Sequence, residues 1–390
     1  MIVASTASFL AQFNHRNINI LQKLGYEVHV AANFTHYGTL SGKSNQRFID
    51  WLYEKDVVVH NLSIERGFGK LTDNINAVGQ LNKLMKRENF EFIHVHTPIA
   101  SVLGRLAAWK NKVPVVYTAH GFHFSKTSPL INWVTYPIEW LLSFVTYQLI
   151  VINQEDYNLA KKHLHAKRLD YQAGVGVNYS LLNKREPSEK QQALAYIQEK
   201  FNLPSDAKII VSVGELSRRK NHRVVIEALH QLNRSNLHYI IAGKGPLLDE
   251  LTTLAIELHV RDQVHFLKYT TNIRRLNLSA DVAVLPSLRE GLSRAGLEAI
   301  RDGVYLIGSD IRGIRDYILN EEVGVTFKPR DSQQLAGLLE DAIDNPRMTL
   351  SDRSILQLMT YDRKNIDQQM EQVYQRMGTI HANRLRDIVG

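Results

Sequence analysis

At 390 residues the chain exceeds what one hydrophobic core organises comfortably, and its 44% apolar and 22% charged content is ordinary for a globular protein, so two domains are expected. It has no cysteine, which excludes disulfides and thiolate metal sites and fits a reducing compartment. The formal charge of +8 is uneven, with 18 Lys+Arg against 12 Asp+Glu up to residue 172 and 29 against 27 beyond it. The basic, histidine-rich first part favours anionic partners, whether phosphorylated substrates, nucleic acid or anionic lipid; scattered solvated lysines are the plain alternative.

Met1-Ile2-Val3-Ala4 reads as a short strand, without the basic leader of a signal peptide. Apolar runs predict strands at 2–4, 27–31, 56–61, 92–96, 113–118 and 148–152, with helices at 15–24, 99–110 and 155–163 among them. Such alternation predicts an α/β fold with a parallel sheet. Ser5-Thr6-Ala7-Ser8-Phe9 follows the first strand and either lines a pocket or only connects strand to helix. His94 and His96 alternate on one strand and share a face. A packed or hydrogen-bonded pair is the favoured reading, because no partner acids for a metal are evident. Tyr117-Thr118-Ala119-His120-Gly121-Phe122-His123-Phe124 places His120 at a strand end. The apolar stretch 129–152 contains Glu139 and Pro137 and falls short of a membrane span. It reads as a buried helix and strand, or as a surface that docks on a membrane.

The texture changes at Gly174-Val175-Gly176-Val177-Asn178 and the polar Lys184-Arg185-Glu186-Pro187-Ser188, where residues 173–206 read as an interdomain linker. A second series has strands at 208–214, 238–242, 264–267, 281–285, 305–308 and 324–327, with a helix at 223–232, and two or three helices finish the chain. Two Rossmann-like domains, 1–172 and 207–362, are therefore expected to face one another across a cleft, with ligands beyond the carboxyl ends of the strands.

The chemistry-bearing residues follow those strand ends. Arg218, Arg219 and Lys220 stand at a strand-to-helix turn, where they can neutralise a diphosphate or form an exposed basic loop. Gly243-Lys244-Gly245-Pro246-Leu247 half-resembles a dinucleotide fingerprint, but Leu248 stands where the third glycine belongs. Glu290 leaves the strand 281–285, and Glu298 follows eight positions later, beyond a Gly291-Leu292-Ser293 junction suited to an anion. Two carboxylates beside an anion site suit a nucleotide sugar.

Nearly the whole chain resembles the family-4 (group 1) retaining glycosyltransferases of GT-B architecture. Glu290 to Glu298 matches that family's E-x7-E motif, and 280–287, 303–307 and 309–314 match the segments around it. The resemblance implies catalytic roles for His120, Glu290 and Lys220. It implies donor contacts from Gly214, Arg218, Arg219, Lys220, Tyr269, Ile273, Glu290, Gly291, Leu292, Ser293 and Glu298. Among these, Glu290 would meet sugar hydroxyls and Glu298 the ribose. Acceptor contacts would come from Ser5, Ser8, His120, Phe122 and His123, and helix 363–390 would complete the N-terminal, acceptor-binding domain. No metal or cofactor is implied. The family usually carries arginine five positions before the lysine; here the residue is Glu215, and either Arg218 or Arg219 could replace that cation.

Segments 213–216, 221–222 and 117–124 are typical of bacterial capsule and exopolysaccharide transferases. The expected reaction is transfer from a nucleotide sugar, UDP by default with GDP open, and an N-acetylhexosamine among the candidates. The expected acceptor is a lipid-linked saccharide, at the cytoplasmic face of the plasma membrane. Rival readings are a GT-B epimerase or hydrolase, a noncatalytic nucleotide-sugar-binding protein and a dinucleotide dehydrogenase. Nucleic acid is not expected as a partner, because the basic residues do not cluster with stacking aromatics.

Overall fold

Strands covered on both faces read as continuous apolar runs, and that pattern organises most of this chain. The computed structural model describes residues 1–65, 67, 69–125, 130–182, 186–268, 270–347 and 350–389; the side chains of Leu130, Leu181 and 381–389 lie outside the description. The chain divides into two compact units, one of residues 1–175 with 364–390 and one of residues 176–363.

The first unit holds a parallel sheet of seven strands: β1 (Ile2–Thr6), β2 (His29–Asn33), β3 (Val58–Asn61), β4 (Ile93–Val95), β5 (Val115–Ala119), β6 (Gln148–Val151) and β7 (Arg168–Tyr171), in the order 3-2-1-4-5-6-7. Ile2 pairs with Val30 on one side and His94 on the other, so β1 is the point from which the sheet grows both ways. Residues of β1, β2, β4, β5 and β6 are all buried. Strand β7 was not expected from the sequence. It is an edge strand, and its alternating Arg168-Leu169-Asp170-Tyr171 shows how edges are kept charged rather than apolar.

Helix Arg363–Val389 packs against this sheet. Met370, Val373, Tyr374 and Met377 are buried in one cluster with Ile2, Ala4, Val30, Val116 and Ile150. Gly378 allows the close approach: a Cβ there would lie 2.3 Å from the Tyr26 hydroxyl. Arg376 adds an ion pair to Asp170 of β7 at 2.7 Å.

The second unit repeats the design with six parallel strands: β8 (Lys208–Val213), β9 (Leu237–Ala242), β10 (Val264–Lys268), β11 (Val282–Leu285), β12 (Tyr305–Ser309) and β13 (Gly324–Phe327), in the order 10-9-8-11-12-13. Ile210 pairs with Tyr239 of β9 and with Val282 of β11. Both sheets thus have the dinucleotide-fold order, which reverses direction beside its first strand and opens a crevice there. Part of the segment read as linker is instead helix Pro187–Phe201. Pro187 opens it, Asn202 closes it in the left-handed region, and Ala193 and Ile197 are buried. Glu189 of this helix pairs with Arg274 at 2.9 Å, and Arg275 lies over the Tyr196 ring at 4.5 Å.

Candidate active site

The crevice of the second unit lies where the chain leaves β8 and β11, and these two loops supply its charged groups. Strand β8 ends at Val213, and Gly214 begins the turn that reaches Lys220. A Cβ on Gly214 would lie 3.1 Å from Lys220 Cδ and Cε, so the bare glycine gives the lysine stem its course. Asn221 adopts φ +53° and donates from Nδ2 to the Pro286 and Pro329 carbonyls at 3.1 and 2.7 Å, tying this turn to the exit of β11. Beneath it, His222 bonds the Tyr239 hydroxyl, which donates to Ser212 Oγ, which donates to the Val284 carbonyl. That buried chain locks β8, β9 and β11 together under the loops.

Glu290 is the meeting point. Its Oε1 accepts from Lys220 Nζ at 2.6 Å, from Ser287 Oγ at 2.8 Å and from an Arg219 guanidinium nitrogen at 3.1 Å. The Lys220 and Glu290 side chains are 13% and 10% exposed, so the pair is largely desolvated. Burial opposes ionisation of Glu290 and is the largest single influence. Lys220, Arg219 and the hydrogen bonds from Lys220 and Ser287 outweigh it and hold the carboxyl below its ordinary value. Arg289 adds further positive charge: burial, then Arg312 and Arg219, lower its pKa, while Glu290 raises it. The site thus gathers Lys220 and Arg219 on one ionised carboxylate, with Arg289 near enough to feel it and Arg312 near Arg289. An incoming anion can compete for Lys220 and Arg219, releasing Glu290 to accept hydrogen bonds from hydroxyls.

Close backbone contacts fix these loops. Gly313, at φ +75°, would carry a Cβ 2.1 Å from the Gly291 carbonyl oxygen. The loop after β12 can therefore lie on Gly291 and Leu292 only because position 313 is glycine. Ser293 stands at the N-cap position of helix Arg294–Arg301, without a side-chain capping bond, and from this helix Glu298 pairs with Arg294 at 2.8 Å, one turn away. The half-fingerprint at Gly243 and Gly245 has a packing origin: Cβ atoms there would lie 1.8 Å from the Gly214 carbonyl oxygen and 2.3 Å from that of Leu216.

The corresponding crevice of the first unit is built of imidazoles. His94 bonds the Tyr374 hydroxyl and Thr118 Oγ1, each at 2.8 Å, and its ring lies 4.1 Å from that of His96. His96 Nδ1 is 3.1 Å from His120 Nε2, and its own Nε2 is buried with no hydrogen-bond partner among the described residues. Phe9 meets the His120 ring edge-on at 4.9 Å, with Phe13 at 5.9 Å. A pocket here is lined by His96, Thr118, His120, Arg16, Phe13 and Gln172, among others. Burial drives the His120 pKa down to about 4 and that of His94 to about 3, and pushes His96 well below its usual value, so all three are neutral near pH 7. The loop after His120 turns at Gly121, φ +107°, and is held by Asp156 Oδ2, which accepts from the Phe122 amide at 3.0 Å. Among the described residues, no three His, Asp or Glu side chains converge as a metal site.

Comparison with known proteins then decides the family. The profile "Glycosyl transferases group 1" matches residues 195–355, and "Glycosyl transferase 4-like" matches residues 3–153. EpsD of Bacillus subtilis, classed as a glycosyltransferase, is 34% identical over 335 residues, 84% of this chain and 82% of EpsD. The chain belongs to the group 1 glycosyl transferases. It is a glycosyltransferase with the GT-B fold, as its sequence led us to expect. An Escherichia coli UDP-Gal:alpha-D-GlcNAc-diphosphoundecaprenol alpha-1,3-galactosyltransferase is 28% identical over 76% of this chain and 75% of its own. Among solved structures, HepE of Anabaena with UDP and glucose superposes with a TM-score of 0.75 at 17% identity, covering 96% of this chain and 98% of HepE. Sucrose-phosphate synthase of Thermosynechococcus elongatus gives 0.74 at 18% identity, covering 97% and 99%.

Within this transferase, the residues expected at the donor divide. Gly214, Arg219, Lys220 and Glu290 form one constellation, with Gly291 and Leu292 held against Gly313 and Ser293 opening the helix of Glu298. Arg218 is exposed, and Ile273 begins helix Ile273–Leu278; among the described residues neither is a hydrogen-bond or ion-pair partner of Glu290. Tyr269 lies outside the described residues. Glu215 is exposed, no ion pair joins it to Arg218 or Arg219 among the described residues, and Arg219 is the cation that joins Lys220 at Glu290.

The stretch Ser5–Phe9, read as lining a pocket or connecting strand to helix, is not a separate loop. Strand β1 runs to Thr6, and helix Ala7–Phe13 starts at once. Ser5 Oγ bonds Thr97 Oγ1 at 2.8 Å and Ser8 Oγ bonds Thr6 Oγ1 at 3.0 Å, and both serines are buried. Phe122, expected at the acceptor, is 3% exposed and stacks on Phe124 at 5.0 Å, so its ring serves the core. His123 is half-buried. Sequence reasoning missed Ser287, Asn221, Arg289 and Arg312. Ser287, three residues before Glu290 at a strand exit, was the one with a readable signal.

Proposed function

We propose that this glycosyltransferase moves a sugar, an N-acetylhexosamine among the candidates, from a UDP-sugar to a lipid-linked saccharide, with retention of anomeric configuration. The observation that carries the donor reading is the convergence of Lys220, Arg219 and Ser287 on the buried, ionised Glu290 at the second unit's crevice. In this reading the diphosphate takes Lys220 and Arg219, and Glu290 turns to the sugar hydroxyls. Glu298 binds the ribose from the helix that Ser293 opens. The acceptor oxygen bonds to the anomeric carbon on the face from which the diphosphate departs. The carbon–oxygen bond to the phosphate breaks, and the leaving phosphate oxygen takes the acceptor's proton. Lys220, Arg219 and the amides around Gly291 stabilise that leaving charge, so the proposed step requires no metal. His120, neutral and at a strand end, contacts sugar or acceptor as a hydrogen-bonding group.

The UDP choice is supported by the ligands of HepE and by the donor of the Escherichia coli relative, and the acceptor class by that relative's diphosphoundecaprenol-linked substrate. A role in capsule or exopolysaccharide assembly at the cytoplasmic membrane face belongs to the same proposal. The test incubates the purified chain with UDP- and GDP-sugars, with and without a prenyl-diphosphate-linked saccharide. Nucleotide release and the product's anomeric configuration are then read. Acceptor-dependent release with an anomer matching the donor supports the proposal. An epimerised sugar, or release independent of acceptor, establishes the epimerase or hydrolase instead. Dependence on added Mg²⁺ after exhaustive chelation overturns the metal-free step.

A further inference from the structure

Helix Tyr136–Ser143 in the first unit is inside out. Its one charged residue, Glu139, is buried, while Ile138, Trp140 and Leu141 face solvent, Leu141 at 63% exposure. An ordinary surface helix turns its carboxylate out and its leucine and tryptophan in. Here Glu139 instead accepts from the buried Arg105 at 2.8 Å and from the Tyr117 hydroxyl at 3.3 Å, and the Arg105 guanidinium lies 4.3 Å over the Tyr117 ring. This buried network fixes the helix in the inverted orientation and gives the apolar face no covering partner in the described chain.

The apolar surface continues beyond that helix. Phe144 follows it, exposed, with its ring 5.1 Å from that of Trp140 and stacked on His165 at 4.4 Å. A surface depression joins Phe144 to Trp109, which is 67% exposed at the end of helix Pro98–Lys110. The short 3-10 helix Leu130–Thr135 runs straight into the inverted helix and exposes Ile131 and Val134. An uncovered patch of this extent marks an interaction site rather than chance exposure.

The charges around it identify the partner. Glu139 is the only carboxylate from residue 92 to 154, and it is turned inward. Lys110, Lys112 and Lys167 border the depression between Trp109 and Phe144, and all three are exposed. Exposed tryptophan, phenylalanine and leucine bordered by lysines, with no carboxylate facing out, is the chemistry of a surface that lies on an anionic bilayer. No helix among the described residues is long and apolar enough to cross a membrane. We propose that the inverted helix with Trp109 and Phe144 is a membrane-docking face, its rings and leucine entering the lipid boundary while Lys110, Lys112 and Lys167 meet anionic headgroups. The inference concerns a surface and stands whether or not the acceptor is lipid-linked.

The test sediments the full chain with vesicles of phosphatidylcholine alone or mixed with phosphatidylglycerol. Binding to the mixed vesicles, weakened by salt, is expected. Leu141→Glu should weaken it by on the order of tenfold or more. Lys110→Gln combined with Lys112→Gln and Lys167→Gln should weaken it by on the order of a hundredfold at low salt. Circular dichroism and UDP binding should be unchanged in both variants. Binding that is equal on the two vesicle types, or unaffected by either variant, overturns the proposal. So does concentration-dependent dimerisation abolished by Leu141→Glu without vesicle binding, which would assign the face to a second copy of the chain. Failure of sugar transfer, by contrast, would leave the vesicle result untouched.

Discussion

The two sheets share one strand order, yet the loops at their crevices are chemical opposites. In the first unit three imidazoles, the buried His94 and His96 and the half-buried His120, are kept neutral because desolvation penalises the charged form. In the second unit Glu290, also largely withdrawn from solvent, stays ionised, because Lys220, Arg219 and Ser287 outweigh the same penalty. Topology delivers loops to equivalent places; the side chains on those loops decide whether the crevice is a neutral hydrogen-bonding surface or a charged one. On the proposed reaction, the charged crevice suits the diphosphate and the neutral one a sugar or hydroxyl that must not be held as an ion.

The sharpest way to break this contrast is to remove the charged centre. Lys220→Ala should lower the rate of sugar transfer by on the order of 10³-fold, as loss of a preorganised charge-stabilising group does. Initial rates of nucleotide release check this, and a variant near full activity would detach Lys220 from the reaction. Glu139→Ala should destabilise the first unit by about 3 kcal/mol, because it strands the buried Arg105 charge. Hydrogen exchange resolved along the chain should place that loss in residues 1–175 and spare the second unit. His120→Ala should lower transfer by on the order of 10²-fold while UDP affinity stays unchanged, which separates the neutral crevice from the charged one.

The gentlest probe is pH. Unfolded imidazoles protonate near 6.5, whereas His120 waits until about 4 and His94 until about 3. Stability is therefore full above the unfolded value and falls as pH drops below it, because the unfolded chain then binds protons the folded chain refuses. From pH 6.5 to about 5 each imidazole held fully neutral costs about 2 kcal/mol. The second unit shares the effect through His222, His238 and His265, but the first has six lowered histidines among its described residues, so it should weaken more steeply. Glu290 acts lower down: its depressed pKa contributes stability above the ordinary value, lost as pH falls through the folded one. Exchange rates at pH 7 and 5 that rise equally in both units would erase the contrast.

Much of this was legible in the residues because sheets covered on both faces need unbroken apolar strands. Twelve of the thirteen strands among the described residues were read from apolar runs, even the exposed edge strand β3; β7 was not, because it carries Arg168 and Asp170. Helix Pro187–Phe201 was hidden by a polar composition that suits a helix with a narrow buried stripe as well as a linker. The spacing of Glu290 and Glu298 and the basic turn at Lys220 were readable because charge at a strand exit is a local signal. That Lys220, Arg219 and Ser287 share one carboxylate oxygen was not, since 70 residues separate Lys220 from Glu290 and only tertiary contacts, the pairing of β8 with β11 and the Asn221 bond to Pro286, bring the two loops together. The inward turn of Glu139 and of Phe122 was equally out of reach. A side chain's direction depends on what the packed fold offers, here Arg105 for Glu139 and the core of the first sheet for Phe122, and no local pattern contains those partners.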